Sequence, residues 1–420
     1  MRKNASVGLK NFVRNAGNRK RKRMKHHVLQ CSALLAVTLL SAEVGRADYA
    51  DWRDNIFIHG FGGWMYGQTD NENYHFLGGW DSDGNADYFN FSLNVRADLS
   101  ENLTVYLQPA FEEINGNREA TVDYAFAEYF LSDLLSIRAG KIKAPLMLMN
   151  EIHDVGTVRP FLLHPVGVYA DSTAEDFQGI GLTGVYDPDF ESDWLFSYDI
   201  YSGFTDIDET ITKNRGTAEV FRWTIDEMLG AKFFIQPPID GLRFGLSAYT
   251  GKQESSYTTR GNIIREETGD AYVVGGSIEY LSPLWELRGE YLMMTKDSGI
   301  YDDETSELLS LYEEERDTFY LEAAYRLTEH WQVAARYEVL DYPNHDLGLP
   351  DKPSFKESKE YTFGLNYWVR PTLVLKSSVT YIEGNLNVFP EDDAHYWQTE
   401  NPDDLEEETF MALFGVQFSF

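Results

Sequence analysis

Cysteine is nearly absent from this chain of 420 residues, and the one present, Cys31, falls in an N-terminal stretch that reads as a leader. The remainder therefore has no thiol, which excludes disulfides, thiolate metal centres and cysteine nucleophiles. Long apolar runs are also missing. Past the N-terminal region no stretch approaches the twenty or so apolar residues that a membrane-spanning helix needs. Basic residues are few: Lys and Arg total 36 against 68 Asp and Glu. Nucleic acid and anionic lipid surfaces are poor partners for that balance.

Aromatic residues, by contrast, are plentiful at 15%. A chain polar on average yet rich in Tyr, Phe and Trp suits a membrane β-barrel, where only every second strand residue meets lipid. The leader fits this. Arg19 to Arg23 with Lys25 form a basic region, and Val28 to Leu40 are apolar. Gly45-Arg46-Ala47 satisfies the small-x-small cleavage rule, so residues 1–47 read as a signal peptide and 48–420 as the mature domain. A cut after Ala42 is the alternative, and translation starting at Met24 is another. Removing 1–47 leaves 25 basic against 67 acidic residues, a net charge of −42.

The mature chain alternates with period two. Phe410, Ala412, Phe414, Val416, Phe418 and Phe420 share one face of the last segment. Tyr361, Phe363, Leu365, Tyr367 and Val369 do so earlier, as do Phe89, Phe91, Leu93, Val95, Ala97 and Leu99. About sixteen such segments can be counted. Short turns at Ser100-Glu101, Ser132-Asp133, Pro188-Asp189, Pro237-Pro238, Ser282-Pro283, Thr328-Glu329 and Arg370-Pro371 alternate with mostly long, polar loops. Short turns on one rim and long loops on the other predict an all-β, transmembrane antiparallel barrel of about sixteen strands. Lipid cannot satisfy a free strand edge, so the sheet must close, and at this width the lumen holds water. Trp52, Trp64, Trp194, Trp285, Trp331, Tyr337, Tyr342, Tyr367 and Tyr381 are the expected interfacial girdles.

The stretch Ile137-Arg138-Ala139-Gly140-Lys141-Ile142-Lys143-Ala144-Pro145 resembles the strand-then-loop signature of the phosphate-selective porin group. Asn150 to Val155, Thr157 to Phe161 and Val168-Tyr169 look closer to porin-like proteobacterial proteins related to that group. The resemblance covers residues 119–186 and is loose elsewhere. It implies a sixteen-stranded outer-membrane barrel, usually a homotrimer, with loop 3 (residues 145–176) folded into the lumen as a constriction. Members of the group line their channel with a basic ladder. Here basic residues are few, so phosphate selectivity does not carry over.

Charged residues of loop 3 are the candidate constriction set: Glu151, Asp154, Arg159 and Asp171, with Glu175 and Asp176 beside them. Arg159 either faces the eyelet or pins the loop. Alternation assigns Arg96, Arg138, Lys232, Arg243, Arg288, Arg326, Arg336, Arg370 and Lys376 to the lumen. Asp98, Glu112, Asp199, Glu279, Glu286, Glu290, Glu322 and Glu338 share that face. Such rows either create a transverse field across the pore or form a salt-bridge mesh that stiffens the wall. Lys141 and Lys143 fall on the opposite parity, at a rim or turned in by a bulge. Acidic runs (Asp302-Asp303-Glu304, Glu313 to Glu315, Glu391 to Asp393, Asp403-Asp404, Glu406 to Glu408) are expected in outer loops. Divalent bridges to lipopolysaccharide are one role for them, and a solvated surface is the other. His153 and His164 match no metal spacing. No catalytic set or nucleotide loop is legible, and neither an enzyme nor a cofactor is expected. The expectation is an outer-membrane porin passing small hydrophilic solutes and ions with weak cation preference; a channel specific for phosphate, another anion or a small organic acid is the alternative.

Overall fold

The computed structural model describes residues 55–420 except 72, 76–79, 81, 115–116, 170–173, 189–192, 213–217, 260–261, 303–304, 344–352, 387 and 391–405. The leader, Trp52, Asp171, Glu391 to Asp393 and Asp403-Asp404 lie outside the described residues. No helix among these residues is long and apolar enough to cross a membrane.

The alternating segments form strands β1 (Ile56–Thr69), β2 (Asn73–His75), β3 (Asn85–Ser100), β4 (Leu103–Ile114), β5 (Asn117–Ser132), β6 (Leu135–Lys143), β7 (Asp176–Tyr186), β8 (Leu195–Thr212) and β9 (Ala218–Gln236). They continue as β10 (Leu242–Thr259), β11 (Asn262–Leu281), β12 (Trp285–Asp302), β13 (Leu308–Arg326), β14 (Trp331–Asp341), β15 (Glu357–Arg370), β16 (Leu373–Glu383), β17 (Val388–Pro390) and β18 (Glu408–Ser419). Sixteen of them close one antiparallel barrel, and β2 pairs with β17 in a separate two-stranded sheet. Closure is made by β1 against β18, with Trp64 opposite Val416. Every interior edge is thereby paired, as a lipid-facing sheet requires.

The outer face carries the apolar parity. Leu246, Leu321 and Phe363 are 66%, 59% and 67% exposed, the reverse of a water-soluble sandwich. Near the short turns, Trp285 packs at a tilt against Tyr325 at 4.5 Å and Trp331 against Tyr367 at 4.9 Å. Higher on the wall an aromatic row runs Phe319, Tyr337, Tyr361, Tyr381, Phe410, with neighbouring ring centroids 4.8 to 6.1 Å apart. These rows have the form of the two girdles. Tyr342 departs from expectation: it is buried, with the Arg316 guanidinium over its ring at 4.6 Å.

Several expected loops are strand. β8 to β13 run well past the apolar band, and Glu313, Glu314 and Glu315 belong to β13 rather than to a loop. Above the lipid both faces of a hairpin are wet, so polar residues occupy both parities and the period-two signal disappears. Glu314 is buried there between Lys296 (2.9 Å) and Arg316.

Candidate functional site: the segment between β6 and β7 and the wall it leaves uncovered

The segment starts at a backbone device. Gly140 has φ +140°, and a Cβ there would stand 2.3 Å from the Ala125 carbonyl oxygen. Three residues on, at the end of β6, Lys143 is 4% exposed. Its ammonium donates to Asp154 at 2.8 Å and to Glu175. Lys141 keeps the outer parity and pairs with Asp176 at 3.0 Å. Asn150 ties the two ends together, donating to the Ala144 and Ala174 carbonyls at 2.9 and 3.0 Å.

Beyond this base the segment is apolar and buried. Leu146, Met147, Leu148, Met149, Val168 and Tyr169 pack with inward residues of β7 to β13, including Phe177, Tyr201, Met228, Val273, Leu292 and Tyr320. Leu162 and Leu163 join Met65, Ile382, Met411 and Leu413 from the other side of the closure. Gly275 leaves room for Met147, whose sulfur would stand 2.3 Å from an added Cβ.

The inward charged residues predicted for β9 to β16 hold this segment. Lys232 binds Glu151. Glu290 accepts from Leu148 N at 2.7 Å, from Ser277 Oγ at 2.8 Å, from Tyr320 Oη at 2.7 Å and from Tyr169. Glu338 accepts from Gly167 N at 2.7 Å, and Arg336 donates to the Leu163 carbonyl at 3.0 Å. Lys376 donates to the Gly156 and Arg159 carbonyls and to Gln417 at 2.6 to 2.7 Å.

The remaining rows are paired among themselves. Arg243, Glu279, Arg288, Glu322 and Arg336 occupy one register row across β10 to β14, alternating in sign. Successive contacts are 2.5, 2.9, 3.1 and 3.8 Å. This is a cross-strand mesh on the wall, where each charge has an opposite neighbour. Arg326 lies over the Trp368 ring at 5.3 Å. Arg159 is buried and donates to the His153 and Leu162 carbonyls at 2.6 and 2.7 Å, so it braces the segment internally. Asp154 receives Lys143 and, at 2.9 Å, His153 Nε2.

Burial opposes charge on His153, but the Asp154 carboxylate outweighs it and raises the histidine. Burial likewise opposes the Asp154 charge, and His153 and Lys143 nonetheless hold it well below the carboxylate range. His164 is driven well below the ordinary range by burial and then by the cations of His153 and Arg159. His153, Asp154 and Glu175 place ligand-type atoms within 4.8 Å of one another. The Lys143 ammonium already bridges the two carboxylates.

Among the described residues, the inward face is less covered on β3 to β6, as it also is at Arg243 of β10, 31% exposed. On β3 to β6 the inward Arg96 is 51% exposed, and Glu128 and Arg138 are 20% and 24% exposed. Asn94, Tyr106, Glu112, Asp123, Tyr124 and Phe126 are half-buried, and Glu119 and Thr121 are exposed. Asp123 is brought inward by a register shift opposite Gln108/Pro109, where Gln108 Nε2 donates to it at 2.5 Å. Its parity therefore escaped the sequence reading; Pro109 within a strand was the available signal for a bulge. Arg96 is held by Asp98 at 2.9 and 3.0 Å, and Arg138 by Glu128 at 3.1 Å and Asp199 at 3.7 Å.

No protein-family profile matches the chain. An uncharacterised protein of Aquifex aeolicus (strain VF5) is 24% identical over an alignment of 321 positions that covers 69% of this chain and 67% of that protein. Among solved structures, the outer membrane channel DcaP of Acinetobacter baumannii superposes with TM-score 0.52 at 10% identity, over 87% of this chain and 97% of that one. Salmonella typhi OmpF, in a complex with daunomycin, gives 0.50 at 14% identity, over 87% and 98%. In-vitro folded OmpT, an outer membrane protein of Vibrio cholerae, gives 0.50 at 10%, over 87% and 97%. At these identities the fold is what is shared.

Proposed function

We propose that this protein is an outer-membrane porin, a water-filled channel for passive diffusion of small hydrophilic solutes, with a preference for cations. In this reading residues 145–176 fold into the bore and narrow it, and solutes pass between that segment and the inner wall of β3 to β6. The observation that carries the reading is the contrast in exposure. Lys232, Arg288, Arg336 and Lys376 are buried and engaged, while the open wall carries Glu112, Glu119, Asp123 and Glu128. Glu151 and Glu175 of the segment are 34% and 45% exposed. Fixed carboxylates beside a narrow water path raise the local cation concentration and repel anions. Of the inward basic residues, Lys232, Arg288, Arg336 and Lys376 are buried, while Arg96 and Arg138 stay on the open wall, each paired with a carboxylate.

Export by the 1–47 leader, insertion among outer-membrane lipid and lipopolysaccharide, and assembly as a homotrimer belong to the same proposal. The test is single-channel current from refolded residues 48–420 in a planar bilayer across a potassium chloride gradient. Stable steps whose reversal potential favours potassium support it. Steps reversing toward chloride refute the cation preference. The absence of steps from a heat-modifiable, folded barrel refutes the channel.

A further inference from the structure

Carboxylates and aromatic rings occupy the open wall in a definite order. Nearest the short turns lie Asp98 and Glu128. Next comes an aromatic band, Tyr106 stacked on Phe126 at 4.8 Å with Tyr124 tilted against it at 5.7 Å. Beyond the band stand Asp123 and Glu112, close to Asp154 and Glu175 of the 145–176 segment. Glu128 and Asp123 are five residues apart on β5, roughly 17 Å along the strand at about 3.4 Å per residue. Charge is uneven at both ends. The lower group sets Asp98, Glu128, Asp199 and Glu151 against Arg96, Arg138 and Lys232. The upper group sets Glu112, Asp123, Asp154 and Glu175 against Lys143 and His153.

We propose that this strip is a track for organic cations in which two or more ammonium groups are joined by apolar linkers, the chemistry of diamines and polyamines. The proposal rests on the porin reading and names a solute class for it. An ammonium is attracted by carboxylates and by the π-systems of Tyr and Phe, while methylenes gain by leaving water to lie against the rings. A compact inorganic cation can use the carboxylates but not the band between them. An anion meets an acidic excess at both ends, and a neutral polyol gains nothing from that excess. The ordering acid, aromatic, acid thus matches charge separated by hydrocarbon better than it matches charge alone.

The experiment uses the same refolded channel in a planar bilayer. Spermidine is titrated on one side, and hexaamminecobalt(III), of equal charge but without hydrocarbon, is titrated in parallel. Spermidine is expected to interrupt the potassium current at about a tenfold lower concentration than the cobalt complex, given additive ion and ring contacts. Phe126→Leu and, separately, Tyr106→Leu should bring the two blockers several-fold closer together. The combined Glu112→Gln and Asp123→Asn variant should weaken both. Lys252→Gln, on the exposed outer part of β10, should change neither. Equal block by the two cations, or a spermidine advantage that survives both aromatic variants, overturns the proposal while leaving a channel in place. A folded barrel that conducts nothing overturns the porin reading itself.

Discussion

The backbone N–H of Leu148 donates to the carboxylate of Glu290 at 2.7 Å, joining a segment after β6 to a strand 142 residues further along the chain. Glu290 collects this donor together with Ser277, Tyr169 and Tyr320, and it is 3% exposed. A buried carboxylate is tolerable when its lone pairs are filled in this way. The consequence is that the wall and the segment are one polar network and must be perturbed together.

Glu290→Ala should release the segment. Four donors lose their acceptor, at about 1–3 kcal/mol for each that is left buried and unsatisfied. Limited proteolysis is expected to cut within 145–176 in the variant and not in the parent, while the barrel keeps its heat-modifiable migration. The mean single-channel conductance should rise or become noisy. Unchanged protection would show that Glu290 does not hold the segment.

Lys376→Met removes the donor that caps the Gly156 and Arg159 carbonyls and Gln417. Those acceptors are left buried, at about 1–3 kcal/mol each where no water replaces the lysine. Thermal unfolding in detergent should occur at lower temperature than in the parent. Lys376→Arg, which keeps the charge but enlarges the head, should recover only part of the loss.

Gly140→Ala tests the entry to the segment. The left-handed φ and the Ala125 carbonyl at 2.3 Å from a new Cβ both oppose the substitution. Strain of this kind costs of order 1–3 kcal/mol before the clash is counted. Lys143 should lose its place between Asp154 and Glu175, and refolding yield should fall. Gly181→Ala, where the nearest atom to a Cβ is 3.8 Å away, is the tolerated control.

Two histidines give the segment opposite pH responses. His153 is raised, so its contribution is complete below about pH 6.5 and is lost as the pH climbs through the raised value. Asp154 is depressed, so its contribution is present above about pH 4 and is lost as the pH falls through the lowered value. His164 is depressed and neutral when folded. The unfolded chain takes up its proton below about pH 6.5, which removes stability on the acid side. His153→Gln should flatten the alkaline decline in transition temperature, and His164→Gln should flatten the acid decline. Identical profiles for the two variants would contradict this assignment.

The class of fold is legible in the order of residues. Period-two runs such as Phe410 to Phe420 and the alternation of short turns with long connections require a closed antiparallel barrel, because lipid satisfies no free edge. That order also sets which parity carries charge, since Arg243, Glu279, Arg288, Glu322 and Arg336 stand on alternating positions of their own strands. Tertiary structure decided what those charges do. Register sets Arg243 beside Glu279 and Glu322 beside Arg336, and register depends on pairing between strands that no local pattern encodes. The apolar residues from Leu146 to Met149 could be read as needing cover, but not as packing on Val273 and Leu292, far along the chain. The polar hairpin extensions of β8 to β13 were hidden for a related reason: where both faces meet water, nothing in the sequence marks one face from the other, and only cross-strand pairing makes the segment a strand. That inward residues of β9 to β16 are buried against the segment after β6, while several on β3 to β6 are not, follows from packing rather than from composition.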